Sequence, residues 1–159
     1  MENIMIGFAN VFQLSNLLVC IGGLFIGVLF GALPGFSATM AVAIFVPFTY
    51  VMEPGAALLL LSALYCGGVF GGSIPAVLVG IPGTPASAPT ALEGKALVRK
   101  GEAGRALNLV TLASCFGGFV SSVALLVCAP LLAKIAKMVG QPEQMFVAIF
   151  GLSVVVMLL

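Results

Sequence analysis

Histidine and tryptophan are absent from this 159-residue sequence, and charged side chains make up only 7% of it. Without histidine, the chain lacks the commonest general base and the commonest neutral metal ligand. Its formal net charge of +1 offers no basic face for nucleic acid. We therefore expect no histidine-based catalysis, no protein-bound metal centre and no nucleic-acid partner.

Cysteine is sparse, and its spacing excludes the usual thiol sites. The four cysteines lie in apolar stretches, and none forms a C-x-x-C pair. A zinc or redox site is not expected from such a pattern. These cysteines are Cys20, Cys66, Cys115 and Cys128. We interpret them as small apolar packing residues within membrane spans.

Apolar residues dominate what is present. They make up 62% of the chain, against roughly 45–50% in soluble proteins. No charge occurs between Glu2 and Glu53, and none between Glu53 and Glu93. Charge-free apolar stretches of more than about 18 residues indicate membrane spans. The sequence therefore predicts an all-α, multi-pass integral membrane protein whose apolar surface faces the lipid bilayer.

The apolar runs divide the chain into segments. An amphipathic stretch over residues 1–16 predicts an interfacial helix, and residues 17–159 form the transmembrane region. The last run, residues 144–159, has no flanking charge, as expected of a chain that ends within a span. The predicted spans are Leu17–Leu33, Pro54–Ser73 and Ala106–Leu132. The charged loop Glu93–Arg105 is placed on the cytoplasmic side because positive loops stay inside.

Two segments interrupt this pattern with proline and glycine. Leu33-Pro-Gly-Phe-Ser-Ala-Thr39 and Ile81-Pro-Gly-Thr-Pro-Ala-Ser87 each place Pro-Gly after an aliphatic residue and before small hydroxyl residues. Between them, Ala38–Val51 reaches only about 21 Å as a helix, which is short of the roughly 30 Å hydrocarbon core. We expect this piece to be re-entrant or interrupted, with its regular part shortened by Pro47.

Broken backbone at membrane depth survives only when it is buried in protein or lines a wet cavity. Paired Pro/Gly interruptions are the best sequence pointer to a transporter binding site. Freed N–H groups attract anions, whereas freed carbonyls and hydroxyls suit a cation such as Na⁺. The candidate hydroxyl residues are Ser37, Thr39, Ser73, Thr84, Ser87 and Thr90. The alternative interpretation of each hydroxyl is a helix cap or a bond back to its own helix.

Missing charges constrain the mechanism. The predicted spans contain no lysine or arginine, so an anionic substrate meets no buried cation from this chain. They contain no mid-membrane carboxylate either, which removes the usual groups of a proton relay. Both absences favour Na⁺ coupling over H⁺ coupling.

Several of these segments resemble one family. The stretches Gly31–Gly35, Phe45–Thr49, Tyr65–Pro75 and Ile81–Ser87 are similar to the large membrane subunit of tripartite tricarboxylate transporters, the TctA family, as is Thr90–Gly94 leading to Arg99–Gly101. The resemblance runs from about Leu17 onward. Two positions depart from the family pattern. Gly80 stands where members often carry Asn, and Lys95 where they often carry an aromatic residue.

The resemblance implies a secondary transporter of the bacterial inner membrane for carboxylates such as citrate. It implies an elevator-type carrier with inverted repeats, of which this chain is the first. It also implies two partners, a small four-helix membrane subunit and a periplasmic solute-binding protein. The substrate and ion site would include Pro34, Gly35, Ser37 and Thr39 in the first break, and Pro82, Gly83, Thr84, Pro85 and Ser87 in the second. Na⁺ would lie near Gly35, Ser37, Gly83 and Thr84.

Three other functions are alternatives to this one. Broken helices also build channels, but the Asn-Pro-Ala pair of aquaporin-type half-helices is absent. An intramembrane serine protease needs a base, and the predicted spans hold no histidine or lysine. A structural bundle explains the glycines but not the two Pro-Gly-hydroxyl breaks. We expect a carrier and not an enzyme.

Overall fold

The computed structural model describes residues 7, 9–138, 140, 142–143, 145–146, 149–150 and 153. The regular structure of these residues is helical throughout, without a strand, which confirms the predicted all-α class. Residues 9–11 of the predicted interfacial helix are helical, and most of the apolar run over 144–159 lies outside the described residues. The chain forms two compact units, Met1–Ser114 and Cys115–Leu159.

Among the described residues, three helical stretches are long and apolar enough to cross a membrane, as the sequence predicts. Their candidate spans are Leu14–Ala32, Pro54–Leu78 and Ala103–Ala129. The helices in chain order are α1 (Leu14–Ala32), α2 (Ala38–Thr49), α3 (Pro54–Gly71), α4 (Ser73–Leu78), α5 (Ala88–Arg99) and α6 (Ala103–Met138). A single 3-10 turn, Pro85–Ser87, precedes α5.

Helix boundaries follow the local sequence at several points. Pro54 is the first residue of α3, where its missing N–H has no intrahelical partner to lose. Helix α2 runs through Pro47 to Thr49 and ends two residues short of the predicted bound at Val51. Pro47 lies in the last turn of α2, where it removes one intrahelical hydrogen bond, the bond that an N–H at this position would donate to the carbonyl of Ala43.

Four prolines, at positions 75, 82, 85 and 89, predict an interruption over Ser73–Thr90, and the interruption in the structure is narrower. Helix α4 begins at Ser73, directly after α3, and contains Pro75 in its first turn. The predicted charged loop is also partly helical, because α5 extends through Glu93 to Arg99. Prolines near a helix N-terminus are tolerated, so the non-helical backbone shrinks to residues 79–84.

Helices α1 and α3 pack through small residues. A methyl group added at Gly27 or Gly31 of α1 would lie within 3.0 Å of the backbone of Leu64 or Gly68 in α3. Leu64 itself is fully buried. Such close approach of two backbones is how membrane helices gain packing contacts in the absence of a hydrophobic drive. Gly23, Gly27, Gly31 and Gly35 recur every four residues, which predicts a small-residue face, and the first three are buried in α1.

Helix α5 packs on α4 in the same manner. A methyl group at Gly94 would lie 3.0 Å from Cα of Val77, and Val77 is fully buried. Ala91, one turn earlier, is also buried. This contact fixes the loop over residues 79–84 between two packed helices.

The outer faces of the long helices carry large apolar side chains. Phe25 and Leu29 of α1 and Leu58 of α3 are half or more exposed. Helix α6 presents Phe116 and Phe119 in the same way. Exposed apolar surface of this extent is expected where lipid or another membrane subunit replaces water.

Candidate functional site

The first break is a tight turn between α1 and α2. The N–H of Phe36 donates to the carbonyl of Leu33 at 3.2 Å, with Pro34 and Gly35 at the two central positions. Gly35 has φ +94°, a conformation that side chains with a Cβ rarely adopt. Proline followed by a glycine of positive φ is the pattern of a type II turn. The Pro-Gly dipeptide therefore stops α1 and reverses the chain.

The hydroxyls after this turn begin the next helix. Ser37 is the N-cap of α2, and its Oγ accepts a hydrogen bond from the N–H of Met40 at 3.2 Å. Thr39 Oγ1 lies 2.8 Å from Ser37 Oγ. Ser37 is half-buried, whereas Pro34, Gly35 and Thr39 are exposed. The first break is thus an open turn followed by a capped helix start.

The second break packs tightly onto α1 and the α3–α4 junction. The N–H of Gly83 donates to the carbonyl of Gly72 at 3.1 Å. A methyl group added at Gly83 would lie 2.5 Å from the carbonyl oxygen of Gly31 and 2.8 Å from Cα of Gly72. No other residue fits at position 83 without displacing backbone on two sides. Pro82 and Pro85, on either side of this point, are exposed.

The buried hydroxyl groups of Thr84 and Ser87 form hydrogen bonds at the end of the second break. Ser87 Oγ donates to the carbonyl of Thr84 at 2.8 Å and accepts the N–H of Thr84 at 3.2 Å. Thr84 Oγ1 lies 3.4 Å from Ser87 Oγ. Thr84 is 6% exposed and Ser87 3% exposed. This reciprocal arrangement is a capping box, which satisfies the polar groups at the start of the following helix.

Ser73 lies at the start of α4 and is also buried. Its Oγ donates to the carbonyl of Phe70 in α3. Ser73, Thr84 and Ser87 are the buried polar side chains in the part of the chain that the structure describes, and all three were chosen from the sequence. Within that part, every buried side-chain oxygen and nitrogen has a hydrogen-bond partner.

The two breaks meet on one short stretch of backbone. A methyl group added at Gly68 of α3 would lie 2.7 Å from Cβ of Ala38, the first residue of α2. A methyl group added at Gly72 would lie 3.0 Å from the backbone nitrogen of Thr84. Gly68 and Gly72 are one helical turn apart, about 6 Å along the axis. The two Pro-Gly segments are therefore neighbours in space, although 48 residues separate Pro34 from Pro82.

This arrangement concentrates neutral polar groups at one end of α3. It brings together a helix start at Ser37, the carbonyls of Gly31 and Gly72, and the hydroxyls of Thr84 and Ser87. A hydroxyl that donates one hydrogen bond keeps lone pairs that can accept or coordinate. The set is rich in oxygens suited to a hard monovalent cation, and the first turn of α2 suits an anion.

Two features of this region were not identified as site residues from the sequence. Gly67, Gly68, Gly71 and Gly72 predict a small-residue packing face, yet Gly68 and Gly72 also contact the two breaks. Gly80 and Lys95, which the resemblance implies to be departures from the family pattern, contact each other, since a methyl group at Gly80 would lie 2.8 Å from Cδ of Lys95. The two departures implied by the resemblance are a signal for this region in the sequence, but the sequence does not show that Gly80 and Lys95 lie side by side.

Comparison with known proteins finds a family match that covers both breaks. The family profile described as "Tripartite tricarboxylate transporter TctA family" matches residues 17–159. This range contains both breaks and all of the described helices apart from the first turn of α1.

A curated relative comes from Agrobacterium vitis and is described as "Uncharacterized 52.8 kDa protein in TAR-I ttuC' 3'region". It is 38% identical over 153 residues, which is 96% of this chain. The chain spans only 30% of the length of that relative. No solved structure matches the chain significantly.

Proposed function

This chain belongs to the TctA family of tripartite tricarboxylate transporters, and we propose that it is part of a membrane carrier that takes up tricarboxylates or related carboxylates. The membrane character of the chain rests on its three long apolar helices. Because it spans 30% of its relative, we assign it one part of the substrate pathway within a longer carrier.

The meeting of the two breaks on Gly68 and Gly72 is the observation that carries this proposal. A purely structural bundle has no need for two interrupted segments at one place. Broken backbone there presents N–H groups, carbonyls and hydroxyls to a ligand, as in other secondary transporters. We assign the substrate and ion contacts to residues that this contact brings together. They are Pro34, Gly35, Ser37 and Thr39 in the first break, and Ser73, Pro82, Gly83, Thr84, Pro85 and Ser87 around the second.

We assign Na⁺ as the coupling ion. The donors at the breaks are neutral oxygens, and the candidate site residues include no carboxylate or other side chain that exchanges a proton near neutral pH. Gly35, Ser37, Gly83 and Thr84 would contribute carbonyl or hydroxyl oxygens. A bound cation would also offset the negative charge of a carboxylate beside it.

The tripartite family supports the rest of the assembly. We propose a small four-helix membrane subunit and a periplasmic solute-binding protein as partners, and the bacterial inner membrane as the location. The two Pro-Gly segments would belong to the first of two inverted repeats in an elevator-type carrier. Loss of uptake on deletion of either partner gene would support this assembly, whereas full uptake by the large subunit alone would contradict it.

Uptake of labelled citrate by the complete transporter tests the function. We expect Thr84→Val, which keeps the shape but removes a buried hydroxyl, to reduce uptake at least about tenfold, since one hydrogen bond to a charged group contributes about 1.5–3 kcal/mol. Thr111→Val is the matched control. Thr111 is exposed, and its hydroxyl bonds to Leu107 within α6. Equal uptake by both variants at equal membrane abundance would contradict the assigned site.

The coupling ion is tested separately. Ser37→Ala and Thr84→Val should raise the Na⁺ concentration needed for half-maximal uptake, because each removes one candidate oxygen ligand. The measurement uses proteoliposomes with an imposed Na⁺ gradient or an imposed pH gradient. Uptake that follows the pH gradient and ignores Na⁺ would rule out Na⁺ coupling while leaving carboxylate transport intact.

A further inference from the structure

Lys95 of α5 lies against the loop that carries the second Pro-Gly break. Gly80 lies two residues after the end of α4 and two residues before Pro82, and its φ is +78°. A methyl group added at Gly80 would lie 2.8 Å from Cδ and 3.2 Å from Nζ of Lys95. The missing side chain at position 80 therefore leaves the space that the lysine occupies.

Lys95 and Arg99 line one concave surface beside this loop. The depression has a volume of about 240 Å³, and its lining residues are Gly80, Ala91, Leu92, Lys95, Ala96 and Arg99. Residues four apart share a helix face, so both cations face the same space. No carboxylate lines it. The ion pair found in the described part of the chain is Arg105 with Glu102, which leaves both Lys95 and Arg99 without an acidic partner there.

The breaks themselves offer only neutral groups and helix ends to a ligand. A helix terminus contributes about half an elementary charge, which does not balance a substrate with two or three carboxylates. Lys95 places a full positive charge beside Gly80, the residue directly before the Ile81-Pro82-Gly83 motif. Guanidinium and ammonium groups are the preferred partners of carboxylates.

We propose that Lys95 and Arg99 form a second anion subsite, which binds one carboxylate of a di- or tricarboxylate substrate while another lies at the Pro-Gly breaks. This inference rests on the proposed carrier function. The subsite selects for substrates with more than one carboxylate, because a monocarboxylate reaches only one of the two places. Lys95 and Arg99 are thus specificity-determining residues.

The test uses the complete transporter in proteoliposomes and measures KM and kcat for citrate and for succinate. We expect Lys95→Gln and Arg99→Gln each to raise the KM for citrate about tenfold with little change in kcat, as for loss of one charged hydrogen bond. The KM for succinate should rise by a similar factor, because succinate also places one carboxylate at each of the two places, whereas inhibition by the monocarboxylate acetate should not change. Lys95→Arg should restore most of the affinity. Lys100→Gln is the matched control, because Lys100 is exposed like Lys95 and Arg99 but does not line the depression.

The outcomes separate the subsite from other roles. Wild-type transporter that takes up neither substrate would contradict the proposed function itself. Normal uptake with an unchanged KM in both glutamine variants would overturn the subsite alone. A KM increase that occurs in vesicles containing phosphatidylglycerol, but not in phosphatidylcholine vesicles, would assign the pair to a lipid headgroup instead. If Lys95→Gln lowers the thermal stability but the folded protein keeps its KM, Lys95 only stabilises the C-terminus of α4 and the subsite is overturned.

Discussion

The two Pro-Gly breaks share a sequence pattern but differ in environment. The first, around Gly35, is an exposed turn, and a methyl group at Gly35 would meet no other atom within 4 Å. The second, around Gly83, is enclosed by Gly31 and Gly72, and its hydroxyls are buried. Glycine is needed in the first break for its positive φ and in the second for close approach of backbones. One dipeptide therefore serves two physical purposes.

This difference indicates how the two breaks contribute to the carrier. The second break is fixed by packing and by the capping box, so it is preorganised within this chain. The first has its polar groups half-buried or exposed, which leaves them open to the remainder of the transporter or to a ligand. A substrate site formed by the fixed second break and the open first break is consistent with the proposed function.

The largest loss of stability is expected when a side chain is added at the second break. Gly83→Ala places a methyl group 2.5 Å from the carbonyl oxygen of Gly31, so backbone must move. Overpacking of this kind costs about 3 kcal/mol, and we expect a marked loss of folded protein. The measurement is the size-exclusion peak of detergent-solubilised protein after heating. Gly22→Ala is the control, since nothing lies within 4 Å of that position. Equal heat resistance of the two variants would contradict the enclosed second break.

The next largest loss of stability is expected when a buried hydroxyl group is removed. Ser87→Ala leaves the N–H and the carbonyl of Thr84 without their side-chain partner at a position that is 3% exposed. An unsatisfied buried polar group costs about 1–3 kcal/mol. We expect a clear fall in the same heating assay. Ser122→Ala removes an exposed hydroxyl that bonds only to the carbonyl of Gly118, and it should have little effect. A Ser87 variant as stable as the Ser122 variant would argue against the capping box.

Much of this architecture follows from local sequence rules. The positive φ of Gly35 follows from Pro-Gly in a turn, and the start of α3 follows from Glu53-Pro54. The choice of Ser73, Thr84 and Ser87 as candidates rested on hydroxyls next to broken backbone, and the structure buries all three.

The features that could not be predicted are the ones that depend on distant packing. Proline content suggested a wide second interruption, yet packing of α4 on α5 through Val77 and Gly94 keeps residues 73–78 helical. Charge suggested a loop over Glu93–Arg105, but the same contact supports a helix that extends to Arg99. The meeting of Gly72 with Thr84 depends on how α3 and the second break fold back on each other. No pattern within a short window of sequence contains that information.

A smaller effect is expected at the first break. Gly35→Ala introduces no clash but forces a side chain into φ +94°, at a cost of about 1–2 kcal/mol. Gly35→Asn should lose less, because asparagine tolerates positive φ at this turn position. The heating assay should therefore rank Gly35→Ala between Gly35→Asn and Gly83→Ala. An alanine variant at position 35 that is less stable than the one at 83 would reverse the comparison.

The smallest change in stability is expected at Ser37, and it separates folding from transport most clearly. Ser37→Ala removes the N-cap bond to Met40, which is worth about 1 kcal/mol. Ser37→Asp keeps a capping oxygen for that N–H but adds a negative charge beside Thr39. If Ser37 only caps α2, the aspartate variant should be as heat-resistant as the wild type and should transport citrate equally well. If Ser37 also contacts an anionic substrate, the aspartate variant should remain folded but lose uptake, because like charges repel at the helix start that would otherwise attract a carboxylate.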